Sequence, residues 1–153
     1  MVRHNYKSSA TVGEEFQTKI ENMLDSAKIP HRAEKTLSNS KIRKLDKKAD
    51  YEVYPNDNPI YLEVKTSEHN KTVGYCLYQS SKKVWLKFHQ ICKMDWLVVE
   101  WRFEKENVMV KISKKDFLKF AGAHKKNSFN YKDSLEMGEV ITDMEWLRRW
   151  LNG

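Results

Sequence analysis

Cysteine is scarce in this chain. There are two, Cys76 and Cys92, in 153 residues, and they form no C-x-x-C pair. That spacing argues against a zinc site and fits reduced thiols in a cytosolic protein. Long apolar runs are lacking too, and none approaches the length that crosses a bilayer. The stretch from Met1 to Gly13 lacks the apolar heart of a secretory signal, so the expected location is cytoplasmic, with no membrane partner. Internal repeats are also absent. A chain of 153 residues is one domain's worth and can bury a sizeable core.

Positive charge, by contrast, is abundant. Lys and Arg number 28 against 21 Asp and Glu, for a formal net charge of +7 and a pI near 9.3. Such a balance fits a polyanionic partner, because Lys and Arg displace counterions from phosphates. Solubility alone is the competing explanation. The excess is concentrated between Ser38 and Lys48, which holds Lys41, Arg43, Lys44, Lys47 and Lys48. This segment is either a solvated loop or a clamp on DNA phosphates. Lys82, Lys83 and Lys87 form a second basic group, on an expected helix.

The first basic segment runs straight into the most informative stretch of the chain, Ala49 to Thr66. Asp50 opens a short strand, a Pro/Asn/Asp turn follows, and a second strand carries Glu63-Val64-Lys65. A tight turn between two strands brings Asp50 back towards Glu63. On a strand Glu63 and Lys65 point to one face, while Ile60, Leu62 and Val64 point to the other and can enter a core. Two carboxylates and an amine on one face suit metal-dependent phosphodiester hydrolysis. The carboxylates hold a hard divalent cation, which neutralises the phosphate and lowers the pKa of a water. The Glu-x-Lys triplet alone is weak, since a cross-strand salt bridge on a solvated face has the same pattern. Asp50, the turn and the flanking apolar alternation tip the balance.

In this order and spacing the chain resembles the PD-(D/E)XK nuclease superfamily, and within it the RecU-like Holliday-junction resolvases of bacteria and phages. The resemblance rests on Asp50-Tyr51, Glu63-Val64-Lys65-Thr66, His89-Gln90 and the hydrophobic run Trp96-Leu97-Val98-Val99, and spans about Gly13 to Phe120. It implies a restriction-endonuclease-like α/β fold and a Mg²⁺- or Mn²⁺-dependent endonuclease. It also implies four-way DNA junctions as substrate, a homodimer, and a bacterial, archaeal or phage-infected cell as the setting. Asp50 and Glu63, with the Val64 carbonyl, would be the metal ligands. Lys65 would position the attacking hydroxide, and Gln90 would sit near the site. The chain departs from the family where an acidic residue usually follows a Gly by four positions, for Gln17 stands four after Gly13. Glu14, Glu21, or a water held by Gln17 are the alternatives for that contact.

The remaining pattern reads as an α/β unit, a mixed sheet covered by helices with the site at a sheet edge. Residues 1–10 are polar and expected to be mobile. Thr11 caps a helix from about Val12 to Ala27, with Phe16, Ile20, Met23, Leu24 and Ala27 on one stripe. Pro30 ends it, and His31 to Leu37 is an expected edge strand. Thr66 to Ser81 is expected to be a loop or irregular hairpin, whose Tyr75 and Tyr78 either stack on unpaired bases or pack over a core edge. A helix is expected from Ser80 or Ser81 to about Lys93, with Gln90 towards the site and His89 at the surface. Strands at Asp95–Arg102 and Val108–Ile112 follow. Next comes a helix begun by Ser113 and Asp116 that packs Phe117, Leu118 and Phe120. Gly122 to Lys132 is expected to be a connector, and Gly138 to Ile141 a short strand. A last helix from Thr142 carries Trp146, Leu147, Trp150 and Leu151 on one side, as core or as a dimer contact.

Overall fold

The first helix, α1 (Ser9–Ser26), forms because Phe16, Ile20 and Leu24 recur every four residues and are all buried. The computed structural model describes residues 9–33, 49–77, 86 and 88–141. The basic segment up to Lys48, Tyr78, Lys82, Lys83, Lys87 and the expected helix from Thr142 all lie outside the described residues. Among the described residues no helix is long and apolar enough to cross a membrane.

A backbone device, rather than Pro30, terminates α1. The Ile29 N–H donates to the Leu24 carbonyl at 2.9 Å, and the Lys28 N–H donates to that of Asp25 at 3.0 Å. This is a Schellman closure, with Ile29 folded back into the same core as Leu24. It requires Lys28 to adopt φ 57°, a left-handed conformation that a Cβ opposes. Lys28 is exposed. Lys28→Gly is therefore expected to stabilise the protein by about 0.5–1 kcal/mol. A thermal melt should show a rise of about 2–4 °C, and a fall would contradict the strain argument. Gly13 is the opposite case. It lies inside α1 with no positive φ, and costs about 1 kcal/mol there relative to alanine.

The strands follow in chain order: β1 (His31–Ala33), β2 (Tyr51–Val53), β3 (Ile60–Glu68) and β4 (Thr72–Gly74). Helix α2 (Phe88–Lys93) leads into β5 (Trp96–Arg102) and β6 (Asn107–Ser113). Then come α3 (Lys114–His124), β7 (Ser128–Asn130), α4 (Tyr131–Met137) and β8 (Glu139–Ile141). Six strands make one mixed sheet in the order β1-β2-β3-β5-β6-β8, while β4 and β7 pair separately. Within the six, β3 and β5 are parallel and every other pair is antiparallel.

Helices flank both faces of the sheet. On one face α1 packs Phe16, Ile20 and Leu24 against Leu62, Val64 and Val98. On the other, Leu97, Val99 and Trp101 of β5 meet Phe117 and Phe120 of α3 and Phe129 of β7. Strand β5 is thus buried on both faces, as expected for a strand at the centre of a sheet.

Several expectations are corrected. Strand β3 continues through Thr66 to Glu68 instead of giving way to a loop. Of the two readings of Tyr75 the packing one holds: it is 1% exposed, with its ring edge-on to Phe117 at 5.0 Å. Among the described residues the helix that ends at Lys93 runs from Phe88. Leu86 donates its N–H to the Gly74 carbonyl at 2.9 Å and accepts from Cys76 N–H at 3.0 Å. That pairing holds Leu86 extended and forbids a helix there.

Further along, Leu118 is 41% exposed rather than packed, because Phe117, Phe120 and Ala121 already fill the buried face of α3. The Ser113–Asp116 cap is present, the Asp116 N–H donating to Ser113 Oγ at 3.1 Å. The supposed connector holds β7 and α4, the latter started by a reciprocal Asn130–Asp133 capping box. Gly138 then presses α4's end onto β6. A Cβ at that position would collide with the Lys111 carbonyl.

Candidate active site

The site arises from a mismatch in strand length. Strand β2 pairs only with the start of β3, Tyr51 opposite Leu62 and Val53 opposite Ile60. On its other side β3 is paired with β5 from Leu62 to Glu68. Beyond Leu62, one edge of β3 therefore has no strand beside it among the described residues. The antiparallel register carried one step further sets Asp50 opposite Glu63. There the Asp50 carboxylate does what a neighbouring strand would do. Its Oδ2 accepts the Val64 N–H at 2.9 Å.

Strand alternation then sorts the side chains. Val64 enters the α1 core. Glu63 and Lys65 share the opposite face. Glu63 is 1% exposed, and its Oε1 lies 3.6 Å from Lys65 Nζ and accepts from Gln90 Nε2 at 3.1 Å. Helix α2, though only one and a half turns long, places Gln90 on the acid. The Gln90 hydrogen bond orients the buried Glu63, and the Lys65 ammonium offsets its charge.

Helix α1 supplies the opposing wall. Tyr51 secures it to the sheet. Its hydroxyl donates to Glu21 Oε1 at 3.0 Å and lies 3.3 Å from the Gln17 carbonyl. Burial, and then the Glu21 carboxylate beside it, push the Tyr51 phenol far above its ordinary value, so it remains a neutral donor. A second tie lies along β5, where buried Glu100 takes Lys19 Nζ at 3.2 Å and Arg102 Nε at 3.0 Å. Arg102 also reaches Glu15 of α1 at 3.3 Å.

These elements enclose a cleft of about 530 Å³, and Asp50, Glu63, Val64, Lys65, Gln90 and Gln17 all line it. Every expected catalytic and metal-binding residue is thus brought together. Glu14 is corrected: it is exposed and not on the cleft wall, because the α1 face towards the cleft is that of Gly13 and Gln17. Glu21 is engaged by Tyr51 instead. The wall also contains Ser67, Lys71, Thr72 and Arg102, which the sequence did not suggest. Arg102 arrives there because β3 and β5 run parallel and set it beside Glu68, a long-range pairing with no local signal.

The donor set bears on which cation would fit. Asp50 and Glu63 offer hard carboxylate oxygens. Among the described residues no group of three His, Cys, Asp or Glu side chains converges. An ion that accepts one or two carboxylates and keeps several waters, as Mg²⁺ does, suits what is present. No family model matches the chain, and no curated protein is significantly similar to it.

Proposed function

We propose that this protein is a Mg²⁺- or Mn²⁺-dependent endodeoxyribonuclease, with a restriction-endonuclease-like core, that resolves four-way DNA junctions. The observation that carries this reading is the convergence of Asp50, Glu63 and Lys65 in one cleft, at an open strand edge. Asp50 and Glu63 would hold the cation, with the Val64 carbonyl as a further oxygen. The bound cation would supply charge neutralisation at the scissile phosphate and a more acidic water.

The chain's own groups do the rest. Lys65 stands at the cleft surface beside Glu63, 3.6 Å away, where its ammonium can meet a phosphate oxygen or orient the attacking water. Gln90 fixes the Glu63 carboxylate. Gln17, where the resembling family has an acid, is suited to holding a water with its amide.

The net charge of +7 favours DNA as the polyanion. The junction and the homodimer come from the resemblance and from a symmetry argument. Cutting two opposed strands of a four-way junction calls for two sites related by a two-fold axis.

The test is cleavage of a labelled four-way junction with Mg²⁺, Mn²⁺ or EDTA, beside a linear duplex of equal length. Light scattering would fix the mass. Paired symmetric nicks by a dimer are expected, with none in EDTA. Lys65→Ala is expected to slow cleavage by roughly 10²–10³-fold, as for loss of one preorganised charge stabiliser, with DNA binding retained. Full activity in EDTA or in that variant would defeat the proposal. Cutting of linear duplex by a monomer would point to a restriction- or repair-type nuclease. Gln17 in place of an acid is the observation that favours another reading, an inactive DNA-binding protein. Tight junction binding without cleavage in either metal would establish it.

A further inference from the structure

Among the described residues nothing requires Gly13 to be glycine. It sits in the body of an 18-residue helix, where glycine is the poorest residue after proline. Its φ is not positive, so no left-handed turn requires it. Among the described residues a Cβ built on it meets nothing within 4 Å, so no described neighbour presses against it either. By contrast, Gly138 carries a steric reason in the Lys111 carbonyl. Yet Gly13 lies on the cleft wall with Gln17, Asp50, Glu63 and Lys65. Gln17 is four residues on, hence the next residue along the same helix face. The bare stretch of helix backbone therefore lines the same cleft as the reactive groups.

We propose that the sugar–phosphate backbone of the substrate strand passes against α1 at Gly13, and that the missing side chain makes room for it. This rests on the nuclease reading. A phosphodiester that reaches Asp50, Glu63 and Lys65 occupies the cleft whose wall includes Gly13. The α1 wall is also set firmly, since Tyr51, Lys19 and Glu15 tie the helix to the sheet. A side chain added at Gly13 could not be accommodated by the helix drifting outward. The obstruction would be felt by the DNA.

The two consequences of filling this position have opposite signs. Gly13→Ala should raise the Tm by about 2–4 °C, because alanine is the better helix former. It should also weaken binding of a four-way junction, measured by fluorescence anisotropy in EDTA so that no cleavage intervenes. Gly13→Leu, still folded by its melt, should weaken that binding by roughly tenfold or more, the scale of an overpacked contact, and lower kcat/KM for Mg²⁺-dependent cleavage. A purely structural glycine would lose stability on substitution, which would overturn the proposal. So would Gly13→Leu binding and cutting junctions as the wild type does; in that case the nuclease reading stands alone. A wild-type protein that neither binds nor cuts DNA would overturn both.

Discussion

Replacing Glu63 with alanine is expected to lower metal-dependent cleavage by more than about 10³-fold while DNA binding survives. Loss of one charge stabiliser costs roughly 10²–10³ in rate, and Glu63 would act through the cation, so its removal weakens every step that the cation supports. Its environment sharpens the expectation. Glu63 is 1% exposed and is contacted by both Lys65 and Gln90. Alanine would remove one of the three carboxylates on the cleft wall and keep Lys65, Lys71 and Arg102 there, which should not harm attraction to phosphates. Binding measured in EDTA should therefore stay within a few-fold of wild type. Glu63→Gln separates shape from charge. It preserves volume and an oxygen for Gln90, and it should still fail to cleave. Calorimetric titration with Mg²⁺ should show the lost cation affinity directly. Near-normal cleavage by either variant would remove Glu63 from the chemistry.

Asp50 carries two duties, and two substitutions pull them apart. Its Oδ2 accepts the Val64 N–H at 2.9 Å, and its charge would hold the cation. Asp50→Asn keeps an oxygen for Val64 but loses the charge. It should fold as stably as the wild type and cleave more than about 10³-fold more slowly. Asp50→Ala loses both. It leaves a Val64 N–H unsatisfied at an inner edge of the sheet, a penalty of about 1–3 kcal/mol, and should lower the Tm by several degrees besides abolishing cleavage. Matching activity losses with different melting temperatures are the expected signature. Equal Tm values for Asn and Ala would mean that Asp50 does not cap the β3 edge. Retained activity in Asp50→Asn would mean that its charge is not needed.

The site and its supports differ in how far local pattern could reveal them. Asp50, the turn and Glu63-Val64-Lys65 lie within sixteen residues, and a strand's two-residue period dictates which side chains share a face. A hairpin needs no knowledge of the rest of the chain, so this pairing was available from the sequence. So was the apolar stripe of α1, and so were the Ser113–Asp116 cap and the central strand β5. Each is a local rule acting within one or two turns or along one strand.

Other features depend on contacts between distant segments. By sequence Tyr75 could either stack on unpaired bases or pack over a core edge. It is buried because β4 pairs with β7, far along the chain, and Phe117 and Phe129 close over it. Leu86 sits in a stretch with helical apolar spacing, yet two backbone hydrogen bonds to Gly74 and Cys76 hold it extended. Tertiary pairing overrode a weak propensity there. Arg102 reaches the cleft only through the parallel register of β3 and β5. Glu14 and Gln17 were equal candidates by sequence, and the rotation of α1, set by Tyr51 and by the buried Phe16–Ile20–Leu24 stripe, turned Gln17 inward and Glu14 out.

What the sequence determined by itself was the chemistry on offer, two carboxylates and a lysine at strand spacing in a basic chain. What only the tertiary structure decided was how that chemistry is framed. Among the described residues the six-stranded sheet stops β2 short of Glu63 and leaves one edge of β3 open, and α1 contributes to the cleft there. Side-chain direction follows from the backbone period of a single strand, whereas a cleft exists only where separate elements stop, cross and pack.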